Sequence, residues 1–547
     1  MDTQPSSRQT MEVKSLGDNT SSSHAHTSPS ESSHQDTSAE AVDETQYFTG
    51  HRLHIITIWL LLPIFIVQMD STITSTSILA ITDDLGGYDK SSWVFTSYML
   101  TYCGFQMISA KLSDILTRRT TLAISLLIFT VFSAACAASQ TLMQLIMFRC
   151  VQGIGAAGVY ALRMWPTYMG LMSGVIALAL VVGPLIGGAI AQHGQWRWIF
   201  LLNVPACSIA IIGLLISLPK TLWNEPSARN RVSIFSTLSL RRIDVLGSTL
   251  LLGACLLVST GIQQAALGYA WTSVFVLPLL LLVLPFLAAF FAWERHITTF
   301  RTYPEPVFPW RFCQSRISTG MILNAYFSGT VLMICLVQIP QRFIAVNNLS
   351  AFAAAVRLLA FGGCVPGGST LSAVLMGRLQ MPPCVVIVLG AVLQLVGAVL
   401  LARIPTGSAV YVPQFGYHVL VGLGVGFVTG ALILLVPFAM HKRDLAVGSA
   451  SMAQFRILGG LIGISIATSL STPYLRTHLS AILPPDLALA VLHRTENLRL
   501  LQSPAVRETV RGVFGEAFNL QVTLAVGFVV AQFLATGLMW TMRRVDA

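Results

Sequence analysis

Fourteen stretches of this chain are apolar for long enough to cross the ~30 Å hydrocarbon core of a bilayer. They fall at about 53–77, 92–112, 120–138, 141–162, 169–190, 198–219, 244–266, 272–294, 319–339, 352–376, 383–403, 414–438, 445–470 and 520–541. The pattern predicts an all-α membrane protein. Two basic stretches, 220–243 and 295–318, interrupt it, and the spans between them, 244–266 and 272–294, hold few polar residues. Setting those two central helices aside leaves six spans before and six after. That predicts a tail at 1–50, a six-helix bundle at 51–219, linkers with two extra helices at 220–318, and a second six-helix bundle at 319–547 with a long external loop at 471–519. Two six-helix halves suit a transporter built from repeats around a central site, although a pore or a scaffold can share the count.

The span MGLMSGVIALALVVGPLIGGAI at 169–190 is unusual in its second half, where Gly183-Pro184 and Gly187-Gly188 sit inside the helix. Glycine costs about 1 kcal/mol and proline about 3 in a helix interior, and proline also removes a hydrogen bond. A bilayer tolerates this where neighbouring helices satisfy the freed backbone groups. Gly170, Gly174, Gly183 and Gly187 form i, i+4 pairs that let a second helix come close. A kinked packing helix and a flexible hinge are both consistent with these residues.

Composition agrees with the span pattern. The 547 residues are 54% hydrophobic and 10% charged, far below the quarter usual for soluble domains. The first fifty residues carry a net −6 against +10 for the whole chain, so the remainder carries +16. The tail is Ser-, Thr- and His-rich, without the basic start and apolar core of a signal peptide, and is expected to be disordered. Lys111, Arg118, Arg119, Arg163, Lys220, Arg378, Lys442 and Arg443 fall in loops on one side, against Lys90, Arg197, Arg342 and Arg403 in short loops on the other. The inside-positive bias therefore predicts cytosolic termini. The same charge suits an anionic lipid surface, with no need of nucleic acid. Nine cysteines show no paired spacing and predict neither a disulfide framework nor a metal site. Asn348-Leu349-Ser350 is a candidate glycosylation sequon in a predicted outer loop.

Few ionisable side chains lie deep in the spans: Asp70, Arg149, Arg357 and Arg456. Buried charge in a membrane faces a cavity or pairs with another charge. Asp70 lies about eight residues from the outer end of span one, and Arg149 about eight from the outer start of span four. At about 1.5 Å per residue both sit ~12 Å below the outer surface, at matching depth and with opposite sign. Such a pair can be a static tie between helices or a site that binds and releases a proton. Arg357 has a stem long enough to reach the interface. Arg456 either faces a substrate cavity or packs near the carbonyls freed around Gly459 and Gly460.

Several segments together resemble the major facilitator superfamily, and within it the fourteen-spanner drug:proton antiporter branch of fungal-type efflux pumps, over about residues 53–541. Asp70-Ser71-Thr72-Ile73 is similar to the Asp-x-Thr-Ile signature of span one. Lys111 to Arg119 resembles the loop motif between spans two and three, with Ala110 and Thr117 where that motif usually has glycine. Arg149-Cys150-Val151-Gln152-Gly153-Ile154-Gly155 is similar to the span-four motif, and Trp196 to Pro205 to the segment opening span six. The Gly/Pro span resembles the antiporter motif of span five. The connection Ala161 to Tyr168 is shorter than family members usually show.

The resemblance implies proton-driven export by rocker-switch alternating access. It implies proton coupling at Asp70 and Arg149, and conformational gating by Asp114, Arg118, Arg119, Gln152, Gly153, Gly183, Pro184, Gly187 and Gly188. A mostly apolar cavity with a few polar handles suits a small organic substrate. Gln68, Gln106, Asn324, Tyr326, Gln338, Gln394, Gln454 and Arg456 are candidates, each equally able to serve as an interhelical hydrogen bond. The partners expected are that substrate, protons and lipid, acting on a monomer in the plasma membrane or else a vacuolar or vesicular one. No cofactor and no enzymatic activity are expected, since no HExxH, P-loop or nucleophile elbow occurs. A proton-coupled importer and a transporter-like receptor are the alternatives.

Overall fold

The polar run Asp70 to Ser77 would be costly inside a membrane helix if its hydroxyls were unpaired. They bond back to their own helix instead: Ser71 Oγ donates to Gln68 O (2.8 Å), Thr74 Oγ1 to Asp70 O (2.8 Å) and Ser75 Oγ to Thr72 O (2.7 Å). In the computed structural model this run is the buried middle of α1, His51–Leu85, which continues through Pro63. The structure describes residues 51–115, 118–159, 166–217, 244–266, 269–300, 306–440, 445–493 and 503–540.

Among those residues the chain is helical, with no strand. A short turn, Tyr88–Lys90, leads into α2 (Ser92–Ile115), α3 (Arg118–Ala138), α4 (Leu142–Val159) and α5 (Pro166–Gln192). Then come α6 (Trp198–Leu201), α7 (Asn203–Ser217), α8 (Val245–Ala266), α9 (Leu277–Phe300) and α10 (Arg311–Gln314). The last group is α11 (Arg316–Ala345), α12 (Ala351–Gly362), α13 (Cys364–Gly377), α14 (Pro383–Leu401), α15 (Gln414–Ala439), α16 (Leu445–Ile482), α17 (Pro485–His493) and α18 (Pro504–Leu538). Thirteen segments are long and apolar enough to cross a membrane. Helix α2, 24 residues long, stands at the remaining predicted span.

The first bundle packs α1 on α5 and α7, and α2 and α3 on α4. The second packs α11 on α16 and α18, and α13 and α14 on α15. Helix α8 lies against α2 of the first and α16 of the second, and α9 packs on α8, so the extra pair is wedged beside the line where the bundles meet.

One expectation is corrected. The segment 471–519 is not a long loop: α16 runs on to Ile482, α17 follows, and α18 begins at Pro504. Leu475, Leu479 and Leu483 of this segment pack with Val491, Val510 and Phe514 into a second apolar core, with Ala345 and Val346 of the α11 end. Tyr88 packs against it from the first bundle, its ring 6.5 Å from that of Phe514. Burial and the nearby Asp83 push the Tyr88 phenol up, keeping it neutral. The short connection expected at 161–168 lies mostly outside the described residues, which resume at Pro166.

Candidate functional site

Asp70 and Arg149, matched in depth by sequence, form a direct ion pair through Asp70 Oδ2 and Arg149 Nη1. Both are buried, at 1% and 0% exposure. Four further helices complete the setting. Asn203 Nδ2 of α7 donates to Asp70 Oδ1 (2.8 Å), and Gln152 Nε2 of α4 reaches the same oxygen (3.3 Å) and Ser133 Oγ of α3 (2.7 Å). Arg149 Nη1 also donates to Gln152 Oε1 (2.9 Å) and its Nε to the Val94 carbonyl of α2 (3.3 Å). The guanidinium lies 4.2 Å from the Tyr98 ring centroid and 5.5 Å from that of Phe200 in α6. A buried charge pair is tolerated only when its remaining donors and acceptors find partners, and here most do. This is the interior of the first bundle rather than the space between bundles.

The glycines of α5 bring that network close to the bundle seam. A Cβ at Gly183 would collide with Thr72 Oγ1, and one at Gly187 would sit 2.6 Å from the Ile73 carbonyl, so α5 lies directly on α1. Thr72 Oγ1 donates to Ala179 O (3.1 Å), Thr76 Oγ1 to Pro184 O (3.4 Å) and Ser77 Oγ to Gly187 O (3.1 Å). The hydroxyls next to Asp70 thus serve the carbonyls around Pro184, and α5 passes through that proline as one helix. Gly188 faces the other bundle: a Cβ there would meet Ala351 O and Ala355 Cβ at 2.7 Å on α12. Gly153 has a packing role as well, since a Cβ there would strike Thr101 and Tyr98 of α2. Gly174 meets nothing within 4 Å.

Of the loop motif, the side chains of Asp114 and Arg118 lie outside the described part, while Arg119 Nη2 donates to Leu215 O of α7 (2.6 Å). The cavity candidates are not gathered in one place. Asn324 accepts from Thr536 (2.9 Å) and donates to Gly320 O (2.8 Å), tying α11 to α18. Gln394 is buried between α14 and α15, its Cγ facing Gly424. Gln454 Nε2 donates to Cys103 O (3.2 Å), joining α16 to α2 across the seam. Gln338 lines two small cavities toward the end expected to face outward, one shared with Ser92 and Gln521, the other with Arg342 and His418. Gln68 and Tyr326 are partly buried, and Gln106 is buried with Oε1 unpaired. Arg456 is partly buried, packs its stem over Gly329, and makes no hydrogen bond or ion pair among the described residues. Arg357 Nη1 bonds Ala353 O of its own helix (3.0 Å), and Asn348 is exposed just before α12.

A model of the Major Facilitator Superfamily matches residues 60–293. The MFS-type transporter FPY5 of Fusarium mangiferae is 33% identical, over 91% of this chain and 85% of its own length. The chain belongs to the major facilitator superfamily. The efflux pump aflT of Aspergillus parasiticus is 25% identical over 82% of this superfamily member and 87% of the pump. The rubrofusarin-specific efflux pump aurT of Gibberella zeae is 27% identical over 82% and 81%. A bacterial homologue of the human lysosomal transporter Spinster, crystallised inward-facing and unoccupied, superposes with a TM-score of 0.60 at 15% identity, covering 92% of this chain and all of that one. The protein is thus a multi-pass membrane protein of this transporter superfamily, similar to fungal efflux pumps.

Three partners of the Asp70 pair in this superfamily member were not singled out from sequence. Asn203 stood inside a matched segment but carried no assigned role, and Ser133 is a lone hydroxyl in an apolar run without a pattern to mark it. Tyr98 supplies a ring face to Arg149, which spacing along the chain does not reveal.

Proposed function

We propose that this transporter exports a small, largely apolar organic compound, of the secondary-metabolite class, in exchange for protons. The single observation that carries the reading is the buried Asp70–Arg149 pair on a helix bonded directly to α5. A carboxylate addressed by a guanidinium and two amide N–H groups ties α1 to α4 and α7 while the bundle stays closed around it. Admitting a proton cancels that charge, loosens the tie to Arg149 and Asn203, and frees α1 to shift. Thr72, Thr76 and Ser77 pass the shift to α5, and Gly188 passes it to the seam with α12.

In this reading 51–219 and 319–547 are the two moving bundles, and 220–318 supplies the linkers and central helices. Asp114, Arg118 and Arg119 latch the inner side when the outer side opens. Gln106, Tyr326, Gln338 and Arg456 are the polar handles met by the compound. The working unit is a monomer in the plasma membrane with both termini in the cytosol. The test is export into proteoliposomes under an imposed proton gradient. Asp70→Asn is expected to abolish proton-driven transport while leaving substrate binding measurable; wild-type transport by that variant removes Asp70 from coupling.

A further inference from the structure

The extra helix pair holds a second buried acid site that no role above uses. Asp244, at the start of α8, and Glu294, near the end of α9, are 2% and 0% exposed. The Asp244 carboxyl carbon and Glu294 Oε1 each lie 2.8 Å from the point a Cβ would occupy at Gly247, so the two carboxyls face one another across the space that glycine leaves. Asp244 Oδ1 accepts from Gly247 N (2.8 Å) and Trp293 Nε1 (2.8 Å). Among the described residues its Oδ2 and both oxygens of Glu294 make no close hydrogen bond, and what Glu294 meets is the Asp244 carboxyl and the backbone of Val307 and Phe308. No Lys, Arg or His side chain among the described residues bonds to either acid. Among the described residues Asp244 is the ionisable group beside Glu294. Arg295 and His296 on α9 are exposed and lie against Trp310 and Phe300, and Phe455 of α16 packs on Phe308.

Two carboxylates in one water-excluded space cannot both stay ionised, so a single proton is held between them. Asp244 receives two N–H groups, and Glu294 meets the Asp244 carboxyl and the Val307 and Phe308 backbone, so a shared proton ties α8, α9 and the connector after α9 together. We propose that Asp244 and Glu294 form a proton-binding site in the central helix pair, separate from Asp70. The site also has a mechanical neighbour. Val307 and Phe308, in the connector after α9, are buried beside Glu294, and the Phe308 ring lies 5.2 Å from Phe455 of α16, next to Arg456. With the proton in place the acid pair is neutral enough to stay dry and the connector stays docked on α16. Without it, two like charges draw in water and loosen that docking.

This adds a second proton to the exchange proposed above and rests on that reading for its role in transport, but proton binding itself is measured independently. The full chain in lipid nanodiscs is melted across pH 6 to 9 as wild type, Glu294→Gln, Asp244→Asn and Asp70→Asn. Wild type is expected to lose a few degrees of melting temperature as pH rises, because a proton bound in the folded state and not in the unfolded one stabilises less when protons are scarce. Glu294→Gln flattens that slope, and Asp70→Asn keeps it. Wild-type and Glu294→Gln curves that run parallel overturn the proposal. Should Glu294→Gln fail to fold, Asp244→Asn, which keeps Oδ1 for Trp293 and Gly247, is expected to flatten the slope, and a slope equal to wild type overturns it instead. A preserved slope in Asp70→Asn together with undiminished transport separates failure of the coupling role of Asp70 from failure of the second site.

Discussion

The protein buries two acids in its helices and treats them in opposite ways. Asp70 is met by an arginine, a glutamine and an asparagine from two other helices, and each of its oxygens has a partner. Glu294 meets another acid and the backbone of Val307 and Phe308, with no basic or amide side chain bonded to it among the described residues. The two sites are alike in burial and differ in the partners built around each carboxyl, which is what sets how a carboxyl responds to a proton. In the exchange proposed above, the first acid disturbs its bundle by losing its charge and the second by gaining one.

The largest expected effect comes from erasing that contrast at Asp70. Beyond the Asp70→Asn loss, Arg149→Lys keeps a positive charge but gives up the planar guanidinium that reaches Asp70, Gln152 and Val94 together. Transport is expected to fall at least tenfold, while the folded protein is still recovered; wild-type transport would mean that charge alone suffices. Next is the seam. Gly188→Val places a branched side chain where Ala351 O and Ala355 already stand 2.7 Å from a single carbon. Export is expected to drop severalfold through failure to close the α5–α12 contact, and cysteine cross-linking between these helices should weaken. Unchanged cross-linking would break the link from α1 to the seam.

A smaller effect is expected at Asn203. Asn203→Ala removes one of the donors to Asp70 Oδ1 and leaves the ion pair in place. A lost buried hydrogen bond to a charge costs about 1.5–3 kcal/mol. The expected result is a lower melting temperature and a loss of transport smaller than that of Arg149→Lys, since the ion pair itself remains. Transport equal to wild type at a lowered melting temperature would assign Asn203 to packing.

These regions also differ in how far the sequence discloses them. All fourteen apolar stretches stand where helices form, because run length is the main thing a bilayer reads. Asp70 and Arg149 were legible together because each is a lone charge at a measurable depth. Glu294 was not, since it sits at the end of a predicted span beside a basic stretch, and its partner lies fifty residues back at the edge of another. The helical segment after residue 471 had its own signal in Leu475, Leu479 and Leu483, spaced four apart, but Arg476 and polar residues between them dilute the hydropathy. Placement of Asn324, Gln394 and Gln454 could not be read at all. A glutamine in an apolar helix looks the same in sequence whether it faces a cavity or a neighbour.

The smallest effect is expected where the comparison is purely apolar. Tyr88 joins the first bundle to the core of the 471–519 segment through its ring, 6.5 Å from Phe514, and its raised phenol stays neutral through the working pH range. A raised acid is ionised only above its shifted value, so removing the hydroxyl removes nothing that titrates between pH 6 and 9. Tyr88→Phe is therefore expected to match wild type in melting temperature, export and pH profile, whereas Tyr88→Ala, which loses the ring contact, is expected to cost about 0.5–1.5 kcal/mol. A changed pH profile in Tyr88→Phe would show that this outer contact, like the two buried acids, is read by protons rather than by packing.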